Sequence, residues 1–350
     1  VNFFAEIFSN IGAVIFHTDN ARTGDVVTSI EPTVARILDD ELMRAHTTWN
    51  SALTGGIIMN PRTGAIYALG AYPNFDLNNR SGIGIEQFVN PLVESVYEMG
   101  SIIKPLTMAA GLDAGAVTPS STYYDAGYLD LAGYTIRNFD GKGGGTVPMQ
   151  EVLNQSLNTG AAHIAGELGG ARLGEYFKRL RLGAETGIDL PSEAHGLVEN
   201  LDSPRKIEYA TASFGQGIAM TPIETARALG TLANGGVLMT PHVGKKILYA
   251  DGTEHEISFP PDGRVYSEKA AEEVTRMLVE VVDTALRGGE HKMDRYTVAA
   301  KTGTAQIANP AGGGYYDDRF LHSFFGYFPA YDPQFLVFLY TVEPGHVRYA

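Results

Sequence analysis

Segments with strand character stand at both ends of this chain, and segments with helix character fill the span between them. That order restricts the fold more than any other feature. Gly55-Gly56-Ile57-Ile58-Met59 and Ala65-Ile66-Tyr67-Ala68-Leu69 flank the turn Pro61-Arg62-Thr63-Gly64, which predicts a β-hairpin. Near the other end, Tyr296 to Gln306, Leu321 to Tyr327 and Phe335 to Val342 read as strands, with the glycine-rich link Ala311-Gly312-Gly313-Gly314 between the first two. Helical spacing of Val34, Ile37, Leu38, Leu42 and Ala45 follows Pro32, and Ser101 to Ala114 reads as a helix closed by Gly115. Pro148 suits the first position of another helix. Thr221-Pro222-Ile223-Glu224 is a capping box opening a helix that stops at Asn234-Gly235-Gly236, and a further helix runs from Ser267 to about Leu286. Strands at the two ends must meet in one sheet to bury their apolar faces. The expectation is an α/β domain of the α+β type.

The sequence has 350 residues, long enough for one large domain or two smaller ones. Its net charge is −14, and its basic residues never run beyond Lys245-Lys246 or Arg205-Lys206, which argues against nucleic acid as a partner. It has no cysteine, so thiol nucleophiles, disulfides and cysteine metal sites are excluded. The nine histidines are scattered without ligand spacing, so neither a metal nor another cofactor is expected. No stretch approaches the ~18 apolar residues of a membrane span. The chain opens mid-pattern at Val1-Asn2-Phe3-Phe4 and stops after Glu343-Pro344-Gly345-His346 without a closing helix or polar tail, so it reads as a fragment. Missing targeting signals therefore leave the location open.

Three short motifs carry chemistry. In Ser101-Ile102-Ile103-Lys104, the serine hydroxyl needs a base, and a lysine three residues on lies on the same helical face. Gly100 ahead of the first turn leaves N–H groups free to favour negative charge there, and Pro105 costs little so near the start. Ser203-Pro204-Arg205-Lys206 repeats the pattern but reads as a solvated loop. Ser156-Leu157-Asn158 offers a hydroxyl and an amide on one turn between helices, able to relay a proton and to hold a carbonyl or the lysine head. Lys301-Thr302-Gly303-Thr304 follows Val298-Ala299-Ala300 on a strand. Its lysine and hydroxyls suit a carboxylate, Gly303 leaves room for a substrate to approach closely, and a free edge suits an extended peptide. Singly, these read as well as a polar surface, a helix cap and a strand end. In this order they form the serine acyl-transferase signature of penicillin-recognising enzymes.

On these motifs the chain resembles the transpeptidase domain of class B penicillin-binding proteins, the D,D-transpeptidases of bacterial wall synthesis. The resemblance extends through Asp25-Val26-Val27-Thr28-Ser29-Ile30, Met59-Asn60-Pro61-Arg62-Thr63-Gly64, Tyr72-Pro73-Asn74-Phe75-Asp76-Leu77-Asn78, Ser213-Phe214-Gly215-Gln216-Gly217 and Lys301-Thr302-Gly303-Thr304-Ala305-Gln306. The chain departs at Met99-Gly100 for the usual Pro-Gly, at Ile102-Ile103 for a common Thr-Phe, and at Thr159 for a frequent Val.

The resemblance implies a β-lactamase/transpeptidase-like fold: a mainly antiparallel sheet of about five strands flanked by helices, and an all-helical subdomain over about 101–235. Residues 1–25 would be a remnant of a linker or N-terminal pedestal, and residues 26–350 the transpeptidase domain without its closing helix. It also implies roles. Ser101 would attack the penultimate D-alanine of a stem peptide and pass the acyl group to a neighbouring amine. Lys104 is the candidate base, its proton affinity lowered by burial and by Lys301. Its amine is expected within hydrogen-bond reach of Ser101, or somewhat looser without substrate. Ser156 would pass the proton on, and Asn158 would hold Lys104 and the substrate amide. Lys301, Thr302 and Thr304 would bind the terminal carboxylate. Gln306 and glycines 312–314 would border the cleft, unless they form an ordinary hairpin connection. The backbone N–H groups of Ser101 and Thr304 would make the oxyanion hole.

Implied partners are peptidoglycan stem peptides on a lipid-linked precursor, β-lactams, and a glycosyltransferase of the wall-synthesis complex. The implied place is the outer face of the cytoplasmic membrane, through an N-terminal anchor outside this sequence. Two alternatives stay open. One is a hydrolase of the same superfamily, a D,D-carboxypeptidase or β-lactamase, although no Glu-x-x-Leu-Asn follows the second motif. The other is a penicillin-sensing or scaffold domain that acylates without turnover.

Overall fold

The computed structural model describes residues 24–76, 78–79, 84, 88–309, 311, 313–345, 347 and 350. The segment read as a pedestal remnant lies outside them up to residue 23, as do Leu77, Gly312 and His346 of the quoted motifs.

The ends of the chain do meet in one sheet. The hairpin forms from β2 (Leu53–Met59) and β3 (Ile66–Tyr72), after a short β1 (Gly24–Thr28) that pairs with β9 (Gly244–Tyr249), itself paired with β10 (Glu254–Glu256), while β8 (Val237–Leu238) pairs with β11 (Gly263–Arg264). From the far end come β12 (Ala299–Ala308), β13 (Tyr315–Phe328) and β14 (Phe335–Val342). Their order is β12-β13-β14-β2-β3, every pair antiparallel, with β14 lying against β2 as the seam between the two halves. Strand period 2 sorts the side chains. Ile57, Met59, Phe325 and Phe338 enter the main core, whereas Ile58 and Leu339 turn to the other face and meet Leu38 and Leu42. Those two leucines belong to helix α1 (Pro32–Trp49), opened by Pro32 and ended by Asn50 in the left-handed region.

The opposite face carries the helical body: α2 (Pro91–Glu94), α3 (Lys104–Asp113), α4 (Met149–Asn154), α5 (Asn158–Leu168), α6 (Gly170–Arg179), α7 (Lys206–Ala212), α8 (Pro222–Ala233) and α9 (Glu268–Glu280). The Thr221 capping box is formed with both reciprocal hydrogen bonds. Every residue of α8 is buried, so it packs between the sheet and α9 as a central helix. No helix among the described residues is long and apolar enough to cross a membrane.

Several expectations need correction. The span 101–235 is not all helical. It also holds the ribbon of β4 (Thr122–Asp125) with β7 (Gly145–Pro148) and the hairpin of β5 (Tyr128–Leu131) with β6 (Tyr134–Arg137). Pro148 ends β7 and precedes α4 with an extended backbone, rather than starting the helix. The Ser101 segment begins as a tight turn, Gly100–Ile103, and becomes α-helical at Lys104, with Pro105 inside the first turn where its missing N–H is harmless. The helix from Ser267 is α-helical to Glu280 and then widens into a π turn over Val281–Ala285. Strand β13 begins six residues earlier than the apolar pattern predicts, because its first part is an exposed ribbon with no face to bury.

Candidate active site

Two lysines from distant parts of the sequence, Lys104 and Lys301, share one hydroxyl. Ser156 Oγ accepts from Lys301 Nζ at 3.2 Å and lies 3.2 Å from Lys104 Nζ. Lys104 Nζ also donates to the Ser156 carbonyl, and Lys301 Nζ to the Thr302 carbonyl at 2.8 Å. Ser156 sits between α4 and α5 with φ of 56°, a left-handed conformation uncommon for a residue with a side chain, and so presents both its carbonyl and hydroxyl to Lys104. The two lysines are 1% and 4% exposed. Burial pushes the Lys104 amine well below its usual value, and the charge of Lys301 adds to the effect. Burial alone brings Lys301 down to about 8. A hydroxyl offers one proton and two lone pairs, so Ser156 can donate to a neutral Lys104 while accepting from a charged Lys301.

Ser101 is half-buried on the Gly100–Ile103 turn, which is pinned from two sides. The Gly100 N–H donates to Gly215 O at 3.2 Å, and Met99 O accepts from Ser323 Oγ at 2.8 Å. Gly100 has φ of 65°, and a Cβ there would stand 2.7 Å from Thr304 O, so the backbones of the two expected oxyanion donors, Ser101 and Thr304, run side by side. Gly303 needs its missing side chain for a different reason than the sequence suggested. A Cβ there would collide with Ser323 Oγ and stand 2.9 Å from Met99 O and 3.0 Å from Ile102 N. The space is taken by the turn that carries Ser101, not left for substrate.

Along β12, Lys301, Gly303 and Ala305 are buried while Thr302, Thr304 and Gln306 alternate to a half-buried side. Ser101, Asn158, Thr304 and Gln306 line one cleft of about 440 Å³, walled by residues 134–139 from β6 and beyond. Lys104 and Lys301 are buried, and Ser156 is joined through Leu157 to the lining residue Asn158. Gln306 Nε2 donates to Tyr316 O at 3.1 Å, and Thr304 Oγ1 accepts from the Ala350 N–H at 3.1 Å. Gly313 and Gly314 take positive φ just ahead of β13.

Lys104 and Asn158 have further hydrogen-bond partners. Among the described residues, Lys104 spends its hydrogen bonds on Ser156 rather than on Ser101. Asn158, the first residue of α5, donates its amide N–H to Arg137 O at 2.9 Å. The second Ser-x-x-Lys stays apart, in an exposed segment where Ser203 Oγ accepts from the Arg205 N–H before α7.

The sequence reading passed over the β5–β6 hairpin, although Ala132-Gly133 between two short alternating runs is a turn signal, and both residues adopt positive φ. It also passed over Glu98. Burial pushes this carboxyl up to about 7, against hydrogen bonds from Tyr315 Oη at 2.9 and 3.1 Å and the Gly217 N–H at 3.1 Å. Glu98 thereby ties the start of β13 to the segment entering the Ser101 turn. No local pattern marks it.

The penicillin binding protein transpeptidase domain model matches residues 54–350. Stage V sporulation protein D of Bacillus subtilis is 31% identical over 324 residues, covering 91% of this chain and 50% of that protein. The probable peptidoglycan D,D-transpeptidase FtsI of Caulobacter vibrioides is 31% identical over 335 residues, covering 92% and 54%. The chain thus spans about half the length of these curated relatives. In three dimensions it is similar to penicillin binding protein 3 of Mycobacterium tuberculosis, solved in complex with aztreonam, with a TM-score of 0.86, 26% identity, and coverage of 94% of this chain and 75% of that one. With the family model matched from the first strand of the hairpin to residue 350, the chain belongs to the penicillin-binding protein transpeptidase family.

Proposed function

We propose that this protein is a peptidoglycan D,D-transpeptidase of the class B type that works through an acyl-serine. The observation that carries the reading is the hydroxyl of Ser156 held between two buried lysine amines, one of them three residues from Ser101, which lines the cleft. A neutral Lys104 can take the proton of Ser101 as the oxygen attacks the D-Ala-D-Ala carbonyl. Ser156 can carry that proton to the departing amine of the last D-alanine. The N–H groups of Ser101 and Thr304 face the developing oxyanion, a contribution of roughly 3 kcal/mol per donor in serine proteases. Charged Lys301, with Thr302 and Thr304, holds the terminal carboxylate, Gly303 lets the nucleophile turn lie against β12, and Asn158 with Gln306 contacts the peptide. An amine from a second stem then attacks the ester, reforming Ser101 and making the crosslink.

A β-lactam offers the same amide and carboxylate, so it acylates Ser101 and stays. The donor and acceptor are stem peptides on the lipid-linked precursor, with a glycosyltransferase supplying the glycan strand. The reaction takes place at the outer face of the cytoplasmic membrane, with a membrane anchor expected in sequence outside this chain. Benzylpenicillin followed by peptide mapping is expected to place the added mass on the Ser101 peptide. Purified precursor is expected to yield crosslinked dimer in step with released D-alanine. An adduct on the Ser203 peptide overturns the nucleophile; D-alanine release without dimer makes the protein a carboxypeptidase; acylation with neither product makes it a sensor.

A further inference from the structure

Behind the wall of the catalytic cleft lies a carboxylate that the reaction does not use. Asp125, at the end of β4, is 1% exposed. Its Oδ1 accepts from the Gly127 N–H at 2.9 Å, Asn138 Nδ2 at 2.9 Å and Thr159 Oγ1 at 2.9 Å. Its Oδ2 accepts from Asn138 Nδ2 at 3.0 Å and the Gly144 N–H at 3.0 Å. Asn138 Oδ1 accepts in turn from the Thr159 N–H at 3.2 Å. The Thr159 hydroxyl also lies 3.0 Å from Asn138 Oδ1 and 3.2 Å from the Tyr123 hydroxyl.

The placement of these partners is what matters. Asn158 donates its amide to Arg137 O. Thr159 is the residue after Asn158, and Asn138 is the residue after Arg137. One carboxylate therefore grips the next residue on each side of the hydrogen bond that aims Asn158 in the cleft.

We propose that Asp125 is a positioning residue, which with Thr159 and Asn138 fixes the start of α5 against β6 and so sets the Asn158 amide for the acylamino carbonyl of an incoming donor or β-lactam. Burial pushes the Asp125 carboxyl up, but the donors from Gly127, Thr159, Gly144 and Asn138 outweigh it and hold the group below the ordinary carboxylate range. It is thus ionised at neutral pH and accepts from every donor around it. An amide in its place would turn an N–H toward a donor on one side or the other. At position 159 a threonine hydroxyl stands where the resemblance implies a frequent valine.

This inference rests on the acyl-serine reading, and the test separates the two. Acylation rates of the intact chain are measured with benzylpenicillin, which carries an acylamino arm, and with 6-aminopenicillanic acid, which keeps the ring and carboxylate but lacks the acyl carbonyl. In Asp125→Asn and Thr159→Val, benzylpenicillin acylation is expected to fall by about tenfold or more, the scale of a hydrogen bond to a charged group, while the rate with 6-aminopenicillanic acid holds. Thr159→Ser keeps the hydroxyl and is expected to restore the benzylpenicillin rate. Equal losses on both probes, or no loss on either, would overturn the positioning role and leave the nucleophile assignment standing. If Asp125→Asn does not fold, the valine and serine pair at 159 decides alone. A wild-type chain that neither probe acylates overturns both readings.

Discussion

Lys301 stands across a single hydroxyl from Lys104, with Ser156 Oγ 3.2 Å from each amine. The rate of acylation by benzylpenicillin is therefore expected to be bell-shaped in pH. It rises as Lys104 loses its proton, at a value that burial and Lys301 hold well below the usual one, and falls as Lys301 loses its own at about 8. Lys301→Gln removes the neighbouring charge and the group that titrates on the alkaline side. Its acid limb is expected to move to higher pH and its alkaline limb to disappear, read by stopped-flow acylation across the neutral and alkaline range. An alkaline limb unchanged in Lys301→Gln would rule Lys301 out as its source.

The glycine of the third motif makes a stability prediction. Gly303→Ala puts a methyl against Ser323 Oγ, Met99 O and Ile102 N. The cost should be about 1–3 kcal/mol, as for other overpacked sites, with acylation slowed because the yielding element is the Ser101 turn. Adding Ser323→Ala removes only the side-chain clash and is expected to rescue little. Full recovery of Tm and rate in the double variant would place the strain in the side chain and not in the turn.

Helix α5 offers an internal control with two glycines in one element. Gly160 faces Val152 and the Tyr123 hydroxyl, so a methyl there meets atoms at 2.5 and 2.8 Å. Gly166 is exposed and has open space. Gly166→Ala is expected to stabilise by about 0.5–1 kcal/mol through backbone entropy, and Gly160→Ala to destabilise. Thermal melts check both, and equal shifts of one sign would contradict the packing around α5.

Glu98 is raised in the folded chain from 4.5 to about 7, chiefly by burial. A raised carboxyl means that the fold prefers its protonated form. That contribution is intact below 4.5 and lost as pH rises through about 7. Glu98→Gln stays neutral throughout. The Tm of the variant minus that of the wild type is therefore expected to climb with pH across that window, whatever constant offset the amide brings. A flat or falling difference would show that Glu98 titrates in the ordinary range.

Much of the architecture is written locally. The hairpin around Pro61–Gly64, the Thr221 capping box and the strand Phe335–Val342 follow from turn chemistry, caps and period 2, and all three are present. The three motifs were visible because each is contiguous. What stayed hidden depends on residues far apart in sequence. Glu98 meets Tyr315 across 217 positions, and the reason for Gly303 lies in Met99 and Ile102. The hydrogen bond from Asn158 to Arg137 O likewise joins a helix start to a strand that no local pattern pairs with it. The extension of β13 escaped notice because an exposed ribbon needs no apolar alternation.

The seam between β14 and β2 also governs how the chain reaches this state. Thr54 and Thr341 meet across it at a separation of 287 residues, whereas β12, β13 and β14 join through short turns. Closing so long a loop costs entropy before any pairing repays it, and topologies rich in distant contacts fold slowly. During synthesis β2 leaves the ribosome with its inner edge unpaired, and it waits for nearly the whole chain before β14 arrives. Pulse-labelled hydrogen exchange during refolding is expected to show the amides of β14 that face β2 protected after those that face β13; simultaneous protection would mean that the seam forms with the C-terminal ribbon. The same pairing that joins the two halves of the sheet leaves an open strand edge on every partly made copy, so the nascent protein needs shielding from its neighbours until the last strands are complete.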